Sequence, residues 1–202
     1  MQRYSILFAL LEHACTNTDT HEITQYTNTL HLLRSLAQNN SDHELLEFSY
    51  LLEIRHALQN NLSNVNVEQL LSLASEAATQ NPLRQSHSQL GLMKMLLHIL
   101  YLMDLGNGTV ASAKLREHHQ YMDSYVAKDI DNWRGDGKFE VSVCGGQHKL
   151  YFQWFTQAES FVFGYLLSGV VNLPDHSSMK AWTFLNEGIR VVDSTFQPTT
   201  LT

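Results

Sequence analysis

The sequence has little charge, and it lacks a cluster of basic residues. Only 16% of its 202 residues are charged, and 13 Lys and Arg against 20 Asp and Glu give a formal net charge of -7 at pH 7. Phosphate binding needs clustered Lys and Arg, so we expect no direct nucleic-acid site. With 44% hydrophobic residues, the composition also excludes the class of intrinsically disordered chains.

Motifs for common chemistries are also scarce. Cys15 and Cys144 are far apart and belong to no C-x-x-C pair, so neither a disulfide framework nor a zinc site is indicated. A reducing compartment fits this cysteine usage. Ser177 and Lys180 match S-x-x-K, but the companion motifs of an acyl-transfer site are missing, and we interpret the match as chance. We expect no catalytic residue, metal or cofactor.

The sequence also lacks a long uninterrupted apolar run. The most apolar stretch, GLMKMLLHILYLMDL, carries Lys94, His98 and Asp104. It is shorter than the roughly 20 apolar residues that a membrane-spanning helix needs. We therefore expect no association with a membrane.

With only three prolines, and with many Leu, Ala, Gln and Glu, the chain favours helices throughout. A first helix is predicted from about Arg3 to Ala14. Polar residues three apart predict the starts of four later helices, at Asp19 with Glu22, Ser41 with Glu44, Asn66 with Gln69, and Thr156 with Glu159.

The predicted helices pair into hairpins over about residues 2–38, 42–80, 84–130 and 156–193. Apart from one insertion their spacing is roughly 40 residues, which is typical of degenerate helical repeats. We expect an all-α fold, with stacked antiparallel helical hairpins forming a tetratricopeptide-like superhelix in a single domain over residues 1–202.

The last hairpin is the clearest of these units. Its first helix has an apolar stripe, its break contains Pro174, and its second helix has two apolar rows. The stripe consists of Phe155, Ala158, Phe161, Val162, Tyr165, Leu166, Gly169 and Val170. The rows are Met179, Trp182, Leu185, Ile189 and Val192, and Ala181, Phe184, Gly188 and Val191. A helix with two apolar rows needs cover on two sides. We expect a further repeat or a partner to provide it, and a truncated chain would explain the exposed side.

The insertion spans about residues 131–154. FEVSV alternates, CGGQ supplies glycine for a tight reversal, and HKLYFQW alternates again, which predicts a β-hairpin. An isolated two-stranded hairpin is only marginally stable, so we expect it to lie on the helices or to be partly disordered. Phe152 and Trp154 are interpreted as packing residues between this hairpin and the last repeat.

Four histidines are candidates for metal ligands or catalytic residues. His118 and His119 are adjacent, so on a helix they point to different sides and cannot chelate one metal as an i, i+4 pair would. His43 and His56 have no acidic or cysteine partner at ligand spacing. We interpret all four as residues of solvated helix faces.

The run FQWFTQAESFVFGYLLSGVV and the helix after it resemble a segment of the helical-repeat subunit of the cohesin loader, the Mau family of sister-chromatid cohesion proteins. The positions that match in order are Phe152, Trp154, Val162, Tyr165, Leu166, Lys180, Ala181 and Phe184. The chain from about His43 to Asp193 can be laid on the middle region of the family. It departs from the family where Thr156, Gln157 and Ala158 replace a Pro-Lys-Glu, and family members are much longer.

The resemblance implies a non-enzymatic scaffold that binds the extended N-terminal segment of the large HEAT-repeat loader subunit. It further implies indirect partnership with cohesin and chromatin, and a nuclear, chromatin-associated location. A superhelix of hairpins presents a concave groove lined by the first helix of each pair. Our candidate groove residues are Lys94, His98 and Ser160, and ordinary solvent exposure is the alternative for each.

Two other classes of function stay open at this point. One is a tetratricopeptide-like adaptor in another assembly, such as a cell-cycle ubiquitin ligase, which the same repeat pattern would permit. The other is a small all-α enzyme that uses buried histidines, which would require histidine or carboxylate side chains to converge in a pocket.

Overall fold

A computed structural model describes residue 7 and residues 20–82, 88–129, 133, 135–173 and 178–195. These residues form seven helices and two strands, in the order α1 (Thr20–Asn39), α2 (His43–Gln59), α3 (Val67–Gln80), α4 (Gln89–Asp104), α5 (Gly108–Asp129), β1 (Lys138–Val143), β2 (His148–Gln153), α6 (Gln157–Asn172) and α7 (Ser178–Thr195). The predicted all-α fold with one β-hairpin is confirmed.

Some predicted features fall outside the described residues. Those features are the helix from Arg3 to Ala14 apart from residue 7, the cap at Asp19, the break at Pro174, and Cys15 and Ser177. In the part that is described, no helix is both long and apolar enough to cross a membrane.

Two of the predicted helix caps are confirmed and one is wrong. The Asn66 side chain accepts a hydrogen bond from the backbone N–H of Gln69 at 3.0 Å and so begins α3. Thr156 and Glu159 form the reciprocal capping box of α6. Ser41, however, has a φ of 54° and lies in the turn before α2. The N-cap there is Asp42, whose side chain makes no capping hydrogen bond.

Asp42 and Glu44 hold the β-hairpin instead of capping α2. The Asp42 carboxylate accepts hydrogen bonds from the backbone N–H groups of Cys144 at 2.5 Å and Gly145 at 3.4 Å. Glu44 accepts one from Ser142 at 3.1 Å. The hairpin therefore lies on helical residues, as expected for a two-stranded element.

The hairpin turn depends on backbone conformations that favour glycine. Cys144, Gly145 and Gly146 all have positive φ values, of 55°, 65° and 84°. Glycine adopts this left-handed region without steric cost, whereas a side chain with a Cβ does not. The CGGQ segment thus forms the predicted reversal between β1 and β2.

Contacts divide the chain into two compact units. The first takes the described residues of Met1–Leu97 together with Glu140–Tyr151. Here α1 packs on α2 and α2 packs on α3. Its most buried side chains include Tyr26, Leu30, Leu33, Leu45, Leu51 and Ile54, all from α1 and α2.

The second unit takes the described residues of His98–Phe139 together with Phe152–Thr202. In it α5 packs on α6, and α6 packs on α7. Trp133 is buried, and its Nε1 donates a hydrogen bond to the Phe155 carbonyl at 3.3 Å. Phe152 is buried and Trp154 packs on Phe155, so both act as packing residues. The single repeat domain stays a prediction.

The buried face of α6 differs from the predicted apolar stripe. Its buried residues include Ser160, Gly164, Leu167, Ser168 and Val171. In the predicted stripe, Leu166 is 48% exposed and Val170 is 38% exposed. Small side chains allow close approach between helices, and here they mark the packed side better than hydrophobicity does.

The α6–α7 hairpin is closely packed through a glycine. A Cβ added at Gly169 would lie 2.6 Å from Leu185 Cδ2, a distance that ordinary van der Waals contact does not permit. On α7 the row containing Ala181 and Gly188 faces this seam, since both are buried. Of the other row, Met179, Trp182, Ile189 and Val192 are exposed.

Candidate partner-binding site

Two of the three predicted groove residues share one face of one helix. Lys94 and His98 lie four residues apart on α4, so their side chains are neighbours, and both are half-buried. Lys94 Nζ donates a hydrogen bond to Ser75 Oγ on α3 at 3.3 Å. Their role as partner-binding residues stays a prediction.

Ser160, the third predicted residue, belongs to a different feature. It is only 4% exposed, so the alternative of ordinary solvent exposure is wrong for this residue. It lines a cavity of about 200 Å³ between α5, α6 and α7, together with His118, His119, Met122, Asp123, Phe161, Gly164, Tyr165 and Phe184. We call this the histidine cavity.

His118 is a buried histidine of this cavity, and its prediction as a solvated residue is wrong. It is 2% exposed, and its Nδ1 has no hydrogen-bond partner in the structure. Burial, with a smaller contribution from neighbouring His119, lowers the pKa of His118 to about 4. The ring is therefore neutral at pH 7 and fills the α5 side of the cavity as a packing group.

His119 forms a hydrogen bond across the interface between α5 and α6. Its Nε2 lies 3.2 Å from Ser168 Oγ. The Ser168 hydroxyl donates its one proton to the Gly164 carbonyl at 2.7 Å, so we assign the proton of the longer contact to His119 Nε2. Burial lowers the pKa of His119, while Asp123 and the Gly164 backbone oppose the shift.

This assignment bears on the enzyme alternative. A serine nucleophile needs a neighbouring base that accepts its proton. Here Ser168 is completely buried and already donates to a carbonyl, so Ser168 and His119 do not form a nucleophile and base pair. Elsewhere in the described ranges, no group of three or more His, Cys, Asp or Glu side chains could hold a metal ion.

His56 is a second histidine whose solvated interpretation is wrong. It is 6% exposed and stacks on Tyr26, with 4.2 Å between the ring centroids. Burial, with help from Arg55, lowers the pKa of His56, and Glu53 opposes the shift. The ring acts as part of the core between α1 and α2. His43 is half-buried.

A larger cleft of about 600 Å³ lies beside the histidine cavity, with which it shares His119 and Phe184. Its other lining residues come from α5, α6 and α7, and they are Ser112, Leu115, Arg116, Ser168, Asn172, Met179, Lys180 and Thr183. We call it the basic cleft, because its described lining residues include two cations and no carboxylate. That balance is the reverse of the whole chain, which carries a net charge of -7.

Neither cation of the basic cleft is neutralised by an ion pair among the described residues. Arg116 and Lys180 are both exposed. Arg116 Nε makes only a long hydrogen bond, of 3.5 Å, to the Ser112 carbonyl of its own helix. By contrast, Lys114 on α5 and Arg190 on α7 are paired with Glu117 and Glu187. The unpaired cations thus coincide with a concave surface.

An apolar ridge lies on α6 and α7. It consists of Leu166 and Val170 on α6, of Leu173 directly after α6, and of Met179, Trp182, Ile189 and Val192 on α7, all 37% to 75% exposed. Contiguous exposed apolar residues commonly mark interaction surfaces. The prediction that a repeat or a partner covers this side stays a prediction.

Sequence reasoning missed the basic cleft. In the sequence, Lys180 belongs to the S-x-x-K match and to the family pattern, whereas Arg116 belongs to no motif. The two residues lie on different helices and far apart in sequence, so no local motif joins them. One sequence feature near Lys180 favours a local positive charge, because the first turn of α7 contains no acidic residue.

Comparison with known families identifies a match that covers nearly the whole chain. A family model described as Cohesin_load, cohesin loading factor, matches residues 3–201. No curated protein and no solved structure matches the chain.

Proposed function

Because this chain belongs to the cohesin loading factor family, we propose that it is a non-enzymatic scaffold subunit of the cohesin-loading complex. The family supports a role in cohesin loading. The observation that carries the proposal is the extent of the match, which takes in residues 3–201 and is therefore not confined to one repeat.

The proposed partner is the extended N-terminal segment of the large HEAT-repeat loader subunit. Helical hairpins that pack in sequence order, such as α2 with α3 and α6 with α7, are the units from which concave tetratricopeptide-like surfaces are built. An extended segment loses conformational entropy when it binds, and a large concave surface offsets that cost over many contacts. Lys94 and His98 on α4 are the first positions to test as groove residues.

A scaffold role agrees with the chemistry of the polar side chains. The buried His118 and the hydrogen-bonded His119 contribute to packing between α5 and α6, and the Ser168 hydroxyl donates its proton to the Gly164 carbonyl and not to His119. Through the large subunit the protein would act on cohesin and chromatin indirectly, in the nucleus. With two unpaired cations in its basic cleft and a net charge of -7, direct binding to DNA is disfavoured.

The test is co-elution of the full chain with the N-terminal segment of the large loader subunit in size-exclusion chromatography. We expect a complex, and a scrambled segment of the same composition should not form one. Lys94→Gln should weaken binding, whereas Lys114→Gln, which removes a lysine paired with Glu117 on α5, should not.

Failure of a folded chain to bind the segment would refute the proposed partner. Crosslinks from the protein in its host to subunits of an unrelated assembly would favour the adaptor alternative. Equal loss of binding in the two lysine variants would remove Lys94 from the groove while leaving the partner in place.

A further inference from the structure

The basic cleft combines features that specify a class of ligand. Its cations, Arg116 and Lys180, come from α5 and α7, and the described residues of its lining include no Asp or Glu. We propose that the basic cleft binds an acidic, extended segment of a partner protein, whose carboxylates face these two side chains. Arg and Lys unopposed by local carboxylates raise the local concentration of negatively charged groups.

The apolar part of the lining distinguishes a peptide from a small anion. Phe184 is half-buried and Met179 is 75% exposed, so both present apolar surface to the cleft. A free phosphate or carboxylate would leave these surfaces uncovered. A peptide that carries both carboxylates and apolar side chains satisfies the two kinds of surface, and a flexible methionine adapts to irregular partners.

The polar uncharged residues of the basic cleft suit a peptide backbone. Ser112, Asn172 and Thr183 bring hydroxyl and amide groups from all three helices. Main-chain N–H and C=O groups of an extended segment need such partners when they leave water. The volume of about 600 Å³ lies within the roughly 300–1,000 Å³ of typical ligand sites, so a few residues of a segment would fit.

A nucleic acid fits this surface less well. Polyanion binding gains its affinity by neutralising many phosphates, and the described lining of the cleft supplies two cations. The remaining charge of the chain, which is net negative, would repel a long polyanion but not a short acidic stretch. The identity of the partner rests on the proposed function, under which the segment would belong to the large loader subunit.

The experiment uses the full chain and two labelled probes followed by fluorescence anisotropy. One probe is a peptide that alternates Glu or Asp with Leu and Phe, and its control replaces Glu and Asp by Gln and Asn. The other is the N-terminal segment of the large loader subunit. Each is titrated into the wild type, into Arg116→Gln with Lys180→Gln, and into Lys114→Gln with Arg190→Gln.

The two double variants are closely matched. Each removes one cation from α5 and one from α7, and each changes the net charge by the same amount. The cleft variant should bind the acidic peptide about three- to tenfold more weakly than the wild type at low salt, as expected for two partly screened ion pairs. The control variant should bind like the wild type. Circular dichroism should show both to be folded, since all of the substituted side chains lie at the surface or are only half-buried.

Three results would overturn the inference. The wild type would bind the Gln and Asn peptide as well as the acidic one, or the two double variants would weaken binding equally. In the third, single-stranded DNA would displace the acidic peptide and bind more tightly, with the same dependence on Arg116 and Lys180.

The two probes separate this inference from the proposed function. If the acidic peptide binds through the basic cleft and the large-subunit segment does not bind at all, the inference stands and the proposed partner is wrong. If the segment binds equally to the wild type and to the cleft variant, the proposed function stands and the inference is wrong.

Discussion

Mild acid should destabilise the second unit through His118. The ring is 2% exposed, and its burial lowers the pKa to about 4 from the ordinary value of 6.5. Because the pKa is lower in the folded state, the unfolded chain binds a proton that the folded protein excludes. The stabilisation is complete above pH 6.5 and is lost as the pH falls from 6.5 towards 4.

The size of the effect follows from those two pKa values. At pH 5 the histidine of the unfolded chain is almost fully protonated while His118 in the folded protein is mostly neutral. Proton linkage then gives a loss of about 2 kcal/mol of stability relative to pH 7.5. The pKa of His119, which belongs to the same unit, is lowered in the same direction, so it adds to the loss and does not offset it.

Tryptophan fluorescence during urea unfolding is the appropriate measurement. The three tryptophans, Trp133, Trp154 and Trp182, all belong to the second unit, which also contains His118. The free energy of unfolding is measured at pH 7.5 and at pH 5.0 for the wild type, for His118→Gln, and for His148→Gln. His148 is exposed at the start of β2, outside the second unit, and serves as the control for loss of a histidine elsewhere in the chain.

The decisive quantity is how much the free energy of unfolding of each protein differs between pH 7.5 and pH 5.0. The absolute stability of His118→Gln is not decisive, because it also reflects altered packing. We expect the difference to shrink by about 2 kcal/mol in His118→Gln and to stay unchanged in His148→Gln. An undiminished difference in His118→Gln would refute the account of His118 as a buried neutral ring.

Three further predictions concern packing, capping and the hairpin anchor. Gly169→Ala should lower the free energy of unfolding by about 1–3 kcal/mol through overpacking, because the new methyl would lie 2.6 Å from a leucine of α7. At Gly164 the nearest atom is 3.7 Å away, so Gly164→Ala should instead raise stability by up to about 1 kcal/mol through helix propensity. Equal effects of the two variants in urea unfolding would contradict this. Thr156→Ala should lower the free energy of unfolding by about 1 kcal/mol through loss of the α6 cap. Thr183→Ala, at an exposed position of α7, should lower it by less than about 0.5 kcal/mol. A larger loss in Thr183→Ala than in Thr156→Ala would count against the capping box. Asp42→Ala should lower the free energy of unfolding by about 1–3 kcal/mol, because two turn amides lose their acceptor. Asp42→Asn keeps a side-chain oxygen and should recover part of that stability. Unfolding followed by circular dichroism measures both variants, and equal stabilities would contradict the role of the side-chain oxygen.

Features that depend on neighbouring residues were predictable. The caps at Asn66 and Thr156 each involve a residue three positions later, so their physics is contained in a short stretch of sequence. The hairpin turn at Gly145 and Gly146 is equally local, because it depends on the conformational freedom of glycine.

Features that depend on which helix faces which were predicted poorly. Hydrophobicity alone favoured Leu166 and Val170 as core residues of α6, yet the packed face contains Ser160, Gly164 and Ser168. The close approach of α5 favours small residues there, and the sequence of α6 alone does not indicate that α5 packs on this face. The same reason explains His118, whose burial is set by the helix opposite and not by its adjacent histidine.

The basic cleft could not be predicted from sequence in any practical way. Its cations are ordinary surface residues in their own helices, and only the packing of α5, α6 and α7 places them on one concave surface. Lys114 and Arg190 lie on the same two helices, but each has a glutamate three residues away that pairs with it. The presence or absence of that pairing is what separates the two sets.

The anchoring of the β-hairpin by Asp42 has a consequence for synthesis of the chain. Asp42 and Cys144 are 102 residues apart, and at a translation rate of about 5–20 residues per second roughly 5–20 s separate their emergence. During that interval α1, α2 and α3 can form, but the Asp42 carboxylate has not yet met the turn amides that it binds in the finished protein. The first unit is therefore completed late, by a segment that is made after α5. Until that segment emerges, the helices of the first unit lack their hydrogen bonds to the β-hairpin.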